Sequence, residues 1–445
     1  MTFFNNVSAI AIAAMAVTQA PVWAQDAIDA AGRDAAVDAL AQVIEDEFFD
    51  AQRAATIASG MRTAEDEGAF DDAATAQALA EALTAHLHEQ DRHFSVRYIG
   101  PEAAAAQLAR EASEDSGARD AANAEQVAQL ARRNFAFDGV EILPGNIGYI
   151  EMRGFAPIDP AEPTARAALE FVAHTDAVIF DLRRNGGGDP TMVQYLTSHF
   201  LEPGGETLIN TFVSRDYEYP NQMWSLPSHP AGHRPDVPIY VLISGDTASA
   251  GEGFSYHLQD MQRAILVGET TYGAGNPGGV HIVPEGYGVF VSTGSARNPI
   301  TGTNWEGTGV TPDIEIDADQ ALDRALLEAY GALEPLAAEE GRRRELGWMR
   351  EALEVAQNPV VLSEAELALY AGDFGPRDIR LENGGLVYQR EGRDPVQLIA
   401  LGDHRFKFAD DDDYRIVFQT DRRGQVEALE LRLVDGRTQV NPLVR

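Results

Sequence analysis

The 445-residue sequence contains no cysteine, and its one lysine is Lys407. Without cysteine the chain has no thiol nucleophile, no disulfide and no cysteine-ligated metal. Basic residues are also scarce, with 34 Lys and Arg against 70 Asp and Glu and a net charge of −36. We therefore do not expect nucleic acids or anionic membrane surfaces to be partners of this protein.

Long apolar runs are missing from most of the chain, since no segment after the amino terminus approaches about 18 uninterrupted apolar residues. We therefore expect no stable membrane insertion of the mature protein. Residues 1–24 carry no charged side chain, hold a short apolar core and end in the small residue Ala24. This pattern predicts a secretory signal peptide, and hence an exported protein, either periplasmic or secreted.

The remaining sequence changes its periodicity twice. Apolar residues recur at helical spacing up to Leu87, strands alternate with helices across 140–317, and short alternating strands recur after Leu362. These patterns predict an α/β fold with a mostly parallel core, preceded by a helical bundle and followed by an antiparallel β domain. The predicted segments are a signal peptide (1–24), a helical subdomain (25–134), an α/β core (135–317), a helical linker (318–360) and a β domain (361–445).

Ser249 lies where a buried strand, Val237 to Ile243, turns into a helix through a run of small residues. A hydroxyl at such a turn is accessible and has the unpaired N–H groups of the helix start beside it. This arrangement suits a nucleophile whose product oxyanion must be held. An ordinary N-cap serine fits the same pattern.

A second strand-to-helix turn carries the glycines 186–188, directly after a strand at 177–182. It lacks the lysine and the Ser/Thr of a P-loop, so backbone donors for an oxyanion are the functional interpretation, with a simple tight turn as the alternative. His93 lies at a predicted helix-to-strand junction, close in sequence to His86 and His88, but the spacing of the three histidines does not place three ligands on one helical face. We expect neither a metal nor a cofactor.

Six segments in one order resemble the tail-specific (C-terminal processing) protease family, and within it the tricorn-core and interphotoreceptor retinoid-binding protein branch. They are residues 91–94, 145–149, 181–188, 247–250, 268–270 and 304–313. The resemblance implies a crotonase-like ββα-type core, a helical amino-terminal subdomain and serine peptidase chemistry. Many members insert a PDZ domain after the helical part, but residues 99–134 are too few to form one.

The resemblance also implies roles for individual residues. One branch of the family pairs its serine with a lysine, but Lys407 lies in the separate carboxy-terminal region, which leaves His93 as the general base for the nucleophile Ser249. Glu306 matches the acidic member, which orients the histidine directly or through a hydroxyl. The oxyanion donors are expected to be Gly187 and Ala250, with Gly186 close behind.

One position departs from the tricorn-type pattern, in which a serine precedes the histidine. Arg92 stands there in this chain, and Ser95, two residues after His93, is a candidate substitute.

The carboxy-terminal strands contain no catalytic constellation. The acidic run 410–413 is interpreted as a solvated hairpin tip, with calcium binding as the weaker alternative because no EF-hand spacing follows.

The predicted function is that of an exported serine endopeptidase acting on a peptide or an unfolded protein. The alternatives are a non-catalytic module of the same fold that binds peptide or lipid, and an envelope scaffold that works through its β region. The sequence predicts no oligomeric state.

Overall fold

The computed structural model describes residues 27–112 and 116–444. The predicted signal peptide lies outside the described residues. Within the described ranges, no helix is both long and apolar enough to cross a bilayer. Contacts divide these residues into two compact units, one of residues up to 142 together with 148–321, the other of 143–147 together with 322–444. The division of the sequence into five segments, from signal peptide to β domain, remains a prediction.

The amino-terminal part is helical, as its periodicity predicts. Its elements are α1 (Ala30–Glu47), α2 (Ala51–Asp66), α3 (Ala76–His88), β1 (Ser95–Tyr98), α4 (Pro101–Glu111) and α5 (Ser116–Arg132). Asp29, Asp50 and Thr75 cap the first three helices by accepting backbone N–H groups with their side chains. The described residues between 99 and 134 contain helices and no strand, which agrees with the absence of a PDZ domain there.

The next part mixes strands and helices. Its elements are β2 (Phe137–Leu143), β3 (Ile147–Met152), α6 (Ile158–Phe171), β4 (Ala177–Asp181), α7 (Pro190–His199), β5 (Leu208–Val213), β6 (Asn221–Trp224), β7 (Ile239–Ile243), α8 (Ala250–Asp260), β8 (Ile265–Gly268), β9 (Gly278–Val283), β10 (Tyr287–Ser292), β11 (Ser295–Arg297) and β12 (Ile314–Glu315). Short 3₁₀ helices lie at Asn134–Ala136 and Ala318–Gln320. The prediction of a mixed α/β fold is confirmed.

A six-stranded sheet in the order β12-β8-β7-β4-β3-β2 carries the centre of this unit. Strands β12, β8, β7 and β4 pair in parallel, and every residue of β4 and β7 is buried. Their near-continuous apolar sequences follow from this burial on both faces. The carboxyl ends of β4 and β7 lead into the two turns that the sequence singles out, so parallel pairing brings those turns to one edge of the sheet. The crotonase-like arrangement itself remains a prediction.

A separate sheet, in the order β1-β10-β9, joins the amino-terminal helices to the later chain. One buried apolar cluster contains residues of α1 to α3 and also Val283, Tyr287, Val289 and Val291 of β9 and β10. The helical part therefore shares its core with strands that follow it by about 190 residues in sequence. This shared core places the end of α3 beside the loop that precedes β9.

Two features of this unit were not predicted. Strands β5 and β6 form a further three-stranded sheet with β11. Helix α6 begins at Ile158, with Pro160 in its first turn. A proline is tolerated there because the first N–H groups of a helix have no intrahelical partner.

The second unit contains α9 (Ala321–Leu333), α10 (Glu340–Gln357) and α11 (Glu364–Leu367), with 3₁₀ turns at Glu334–Leu336 and Ala368–Tyr370. The strands β13 (Gly372–Asp373), β14 (Arg377–Glu382), β15 (Gly385–Arg390), β16 (Val396–Gly402), β17 (Arg405–Phe408), β18 (Tyr414–Thr420), β19 (Val426–Leu433) and β20 (Thr438–Pro442) follow. They form one antiparallel sheet in sequence order, as the alternating pattern predicts. Lys407 is buried and bonded to Asp412 at 2.5 Å, so the acidic run carries its own counter-charge.

Candidate active site

Ser249 stands at the turn between β7 and α8 in a conformation that few residues other than glycine adopt. Its φ is 53° and its ψ is −118°. An ordinary N-cap residue has an extended backbone. Positive φ at a non-glycine residue costs of order 1–3 kcal/mol and persists only where neighbouring groups hold it. Ser249 therefore occupies the N-cap position without the usual N-cap geometry.

The group that holds this turn is the carboxylate of Glu252, one turn further along α8. Its Oε2 accepts the N–H groups of Ser249 at 2.8 Å and Ala274 at 2.9 Å. Its Oε1 accepts the Thr271 hydroxyl at 2.5 Å and the Gly273 N–H at 2.7 Å. Glu252 is 0% exposed, and burial raises the pKa of its carboxyl while these four hydrogen bonds oppose that rise. All four partners act as donors here, and the lone pairs of an ionised carboxylate match this arrangement.

Sequence reasoning missed Glu252, although a signal was present. A serine at a helix start followed three residues later by glutamate is the capping-box pattern. Here the side chain reaches back to the Ser249 N–H as that pattern requires, and it also binds a distant loop. The binding of Glu252 to the distant loop depends on tertiary contacts, so the local capping-box pattern does not reveal it.

The loop of residues 271–276 lies between two carboxylates, the buried one of Glu252 and the half-buried one of Glu306. Its first half binds Glu252, and the Tyr272 N–H donates to the carbonyl of Thr247 at 3.0 Å. Its second half binds Glu306, whose Oε2 accepts the N–H groups of Gly275 at 2.6 Å and Asn276 at 3.2 Å. A Cβ at Gly275 would lie 2.8 Å from the Glu306 backbone nitrogen, so the approach requires glycine.

The segment carrying His93 docks onto the same loop. The Asp91 carboxylate accepts the His93 N–H at 2.9 Å and the Asn276 side-chain amide at 3.0 Å. Glu306 Oε1 accepts the Arg92 N–H at 2.8 Å. Glu306 thus reaches the His93 segment through the backbone of Arg92, while its other oxygen holds the loop.

The imidazole of His93 is held in its neutral form. It stacks on Phe290 with ring centroids 5.2 Å apart. Burial lowers its pKa to about 4, against the opposing effect of the Asp91 carboxylate. Its Nδ1 is buried and has no hydrogen-bond partner among the described residues. A neutral imidazole with an unused ring nitrogen is the form that a general base needs at pH 7.

The two carboxylates beside His93 affect each other. One ligand atom each from Asp91, His93 and Glu306 lie within 4.8 Å of one another. Burial first, and then repulsion from Asp91, raises the pKa of Glu306 to about 7. These three side chains are the one group among the described residues that has donor atoms close enough for a metal ion. Their carboxylate oxygens already accept the N–H bonds described above, so a cation would compete with these bonds.

The glycine turn after β4 touches the Ser249 turn. A Cβ on Gly187, whose φ is +96°, would lie 2.6 Å from the Cβ of Ser249 and 3.0 Å from the Ala250 nitrogen. The Gly187 N–H donates to Asn185 Oδ1 at 2.9 Å, and the Gly186 N–H makes a long 3.4 Å contact with the Arg153 carbonyl. Within the described part of the chain, the Ala250 N–H donates no hydrogen bond. Of the three predicted oxyanion donors, Ala250 alone has a free N–H in this conformation.

The structure therefore places the predicted residues in two groups that one loop connects. Gly187, Ser249 and Ala250 are in contact at the sheet edge, and His93 and Glu306 lie at the far side of loop 271–276. Ser95 opens β1 opposite Phe290, and no hydrogen bond joins its hydroxyl to His93 in the described ranges.

Comparison with known proteins relates the same part of the chain to one peptidase family. Residues 146–316 match the model of Peptidase family S41. The carboxy-terminal-processing protease of Bartonella bacilliformis is 28% identical over 179 residues, which are 39% of this chain and 39% of that protein. Carboxyl-terminal-processing peptidase 1 of Arabidopsis thaliana, a chloroplastic protein, is 31% identical over 173 residues, 38% of this chain and 33% of the relative.

The predicted resemblance to the C-terminal processing proteases is confirmed by these matches. The aligned parts span well under half of the relatives' lengths. Among solved structures, the tricorn protease superposes with a TM-score of 0.44 at 13% identity, covering 69% of this chain and 37% of that one.

Proposed function

We propose that the chain is an exported serine peptidase in which Ser249 is the nucleophile, His93 the general base and Glu306 the group that orients the His93 segment. The observation that carries the proposal is that two carboxylates, buried Glu252 and half-buried Glu306, bind the same loop. Glu252 binds the loop to the Ser249 turn, and Glu306 binds it to the His93 segment. The family match of residues 146–316 supports a serine-type peptidase.

In the proposed reaction, the Ser249 hydroxyl attacks the carbonyl carbon of a peptide bond while neutral His93 takes its proton. The imidazolium then returns that proton to the leaving amine, and water releases the acyl group by the same steps in reverse. The Ala250 N–H is available to hold the oxyanion. The Gly187 N–H becomes a second donor once Asn185 Oδ1 releases it, and Gly186 stands next to it. Side chains, backbone donors and water suffice for this sequence of steps.

Covalent labelling with a fluorophosphonate tests the nucleophile. We expect the wild type to label and Ser249→Ala to remain unlabelled. Ser255 is the matched control, because it lies on the same helix with its hydroxyl donating to the Gly251 carbonyl at 2.9 Å. Ser255→Ala should label like the wild type. Equal labelling of wild type and Ser249→Ala, or no labelling of either, would leave a non-catalytic peptide- or lipid-binding module as the better description.

The pH dependence of activity tests Glu306. Because the pKa of His93 is lowered to about 4, the base is neutral above pH 5 and cannot cause a change of activity near pH 7. The pKa of Glu306 is raised to about 7, and its ionised form accepts the three N–H bonds that hold the loop and Arg92. We therefore expect kcat/KM to rise with pH through about 7 as Glu306 ionises.

Glu306→Gln should be less active at pH 8 and should have lost this rise, measured as kcat/KM from pH 5.5 to 8.5. Glu315→Gln makes the same chemical change at an exposed position of β12 and should retain the wild-type profile. An unchanged rise in Glu306→Gln would assign the titration to another group.

A further inference from the structure

Arg92 directly precedes the candidate base His93, and the proposed reaction gives its side chain no role. Its backbone N–H binds Glu306, so its position is fixed relative to His93. Its side chain is exposed. Among the described residues it forms no ion pair, although the chain carries 70 acidic residues.

The guanidinium of Arg92 lies over an aromatic ring that belongs to the same site. Its central carbon is 5.7 Å from the ring centroid of Tyr272, a distance at which cation–π attraction operates. His88 meets the same ring edge-on, at 6.4 Å between centroids. Among the described residues, the guanidinium N–H groups of Arg92 donate no hydrogen bond to the protein, so they are available to a ligand.

Tyr272 connects this cation to the nucleophile. Its backbone N–H donates to the carbonyl of Thr247, two residues before Ser249. The next loop residues, Gly273 and Ala274, bind the carboxylate of Glu252. The guanidinium of Arg92 therefore contacts a loop whose backbone is bonded both to the Ser249 turn and to Glu252.

We infer that Arg92 is a specificity residue that binds a carboxylate of the peptide substrate. Its planar fork of donors matches a carboxylate in two parallel hydrogen bonds. Among the described residues neither Asp91 nor Glu306 forms an ion pair with this arginine, and both carboxylates accept N–H groups instead, so the donors of the arginine fork are available to a ligand. The carboxylate is either the free carboxyl end of the substrate or an Asp or Glu side chain.

This inference rests on the proposed function, because the ligand is taken to be a peptide substrate. Its test measures only peptide binding and needs no catalytic activity. In an inactive Ser249→Ala background, three fluorescent peptides of one sequence are compared by anisotropy. The first has an amidated end and no acidic residue, the second a free carboxyl end, and the third an amidated end with one glutamate. We expect the second or the third to bind more tightly than the first, and this result identifies the source of the carboxylate.

Adding Arg92→Gln should weaken binding of the preferred acidic peptide about 10- to 100-fold, the range for a hydrogen bond between charged groups, and should leave the neutral peptide unchanged. The affinity of Arg92→Lys for this peptide should lie between those of the parent and Arg92→Gln, because lysine keeps the charge without the planar fork of donors. Arg97→Gln, at an exposed position of β1, is the control and should bind all three peptides like the parent.

In the catalytically competent protein, the loss should appear in KM for the acidic peptide while kcat stays near the wild-type value. Equal weakening of all three peptides by Arg92→Gln would make Arg92 a structural residue, and no preference for an acidic peptide in the parent would also overturn the inference. Failure of the peptidase proposal is seen separately, as absence of fluorophosphonate labelling in the otherwise wild-type protein.

Discussion

Replacing His93 with glutamine is expected to lower kcat by about three to four orders of magnitude, the usual contribution of a positioned general base. The amide has a similar size and stays within the contact with Phe290, but it cannot take the Ser249 proton. Since the ring forms no hydrogen bond to the rest of the described protein through Nδ1, removing it leaves no buried donor without a partner. Substrate binding should change little, so the loss should lie in kcat rather than KM.

The measurement is steady-state turnover of a peptide, together with the rate of fluorophosphonate labelling, which should fall in parallel. His86→Gln is the control, since His86 packs edge-on against Phe70 in the helical part, at 5.7 Å between centroids, and should retain wild-type activity. A His93→Gln protein within tenfold of the wild type would show that another group accepts the proton.

Replacing Glu252 with glutamine is expected to lower kcat/KM by at least about a hundredfold and to destabilise the fold by roughly 2–4 kcal/mol. Four donors converge on this carboxylate. An amide offers one accepting oxygen and an NH₂ group, so at least two of the four donors lose their acceptor in a site that excludes water. The Ser249 turn then loses the group that holds its positive φ.

Urea unfolding and turnover at a temperature where the variant is fully folded separate the two effects. If the activity loss only follows the unfolded fraction, Glu252 is a stability residue without a positioning role. Glu315→Gln, at its exposed position, should change neither measurement. Wild-type activity in Glu252→Gln would mean that Ser249 keeps its geometry without this carboxylate.

Sequence was informative where local pattern and tertiary environment agree. The buried parallel strands β4 and β7 read as apolar runs because both of their faces are covered, and the turns at Gly187 and Ser249 follow from where those runs end. The carboxy-terminal strands alternate because one face packs and the other is solvated, so their boundaries follow the pattern closely. Strands β5 and β6 were missed because their burial does not alternate along the chain, and the pairing of β5 with β11 is long-range.

The candidate site was only partly accessible from sequence. Ser249 was singled out by its strand-to-helix turn, and His93 and Glu306 by the resemblance to the C-terminal processing proteases together with the lack of cysteine and of a second lysine; their roles remain predictions. Glu252 was not found, because its additional partners in loop 271–274 are about twenty residues away. The hydrogen bond from the Gly187 N–H to Asn185 Oδ1 was also not predicted, because composition and spacing do not determine the orientation of a single peptide plane.

By itself, the sequence determined the chemistry that is available: no thiol, one lysine in the last part of the chain, a serine at a strand-to-helix turn and a histidine at a helix end. Only the tertiary structure decided how these groups relate. The core shared between α1–α3 and strands β9 and β10 brings His93 to loop 271–276, and the carboxylates of buried Glu252 and half-buried Glu306 fix that loop on both sides. The physical reason is that a carboxylate withdrawn from water must collect donors from wherever the fold supplies them, and here the fold supplies them from segments up to about 210 residues apart in sequence.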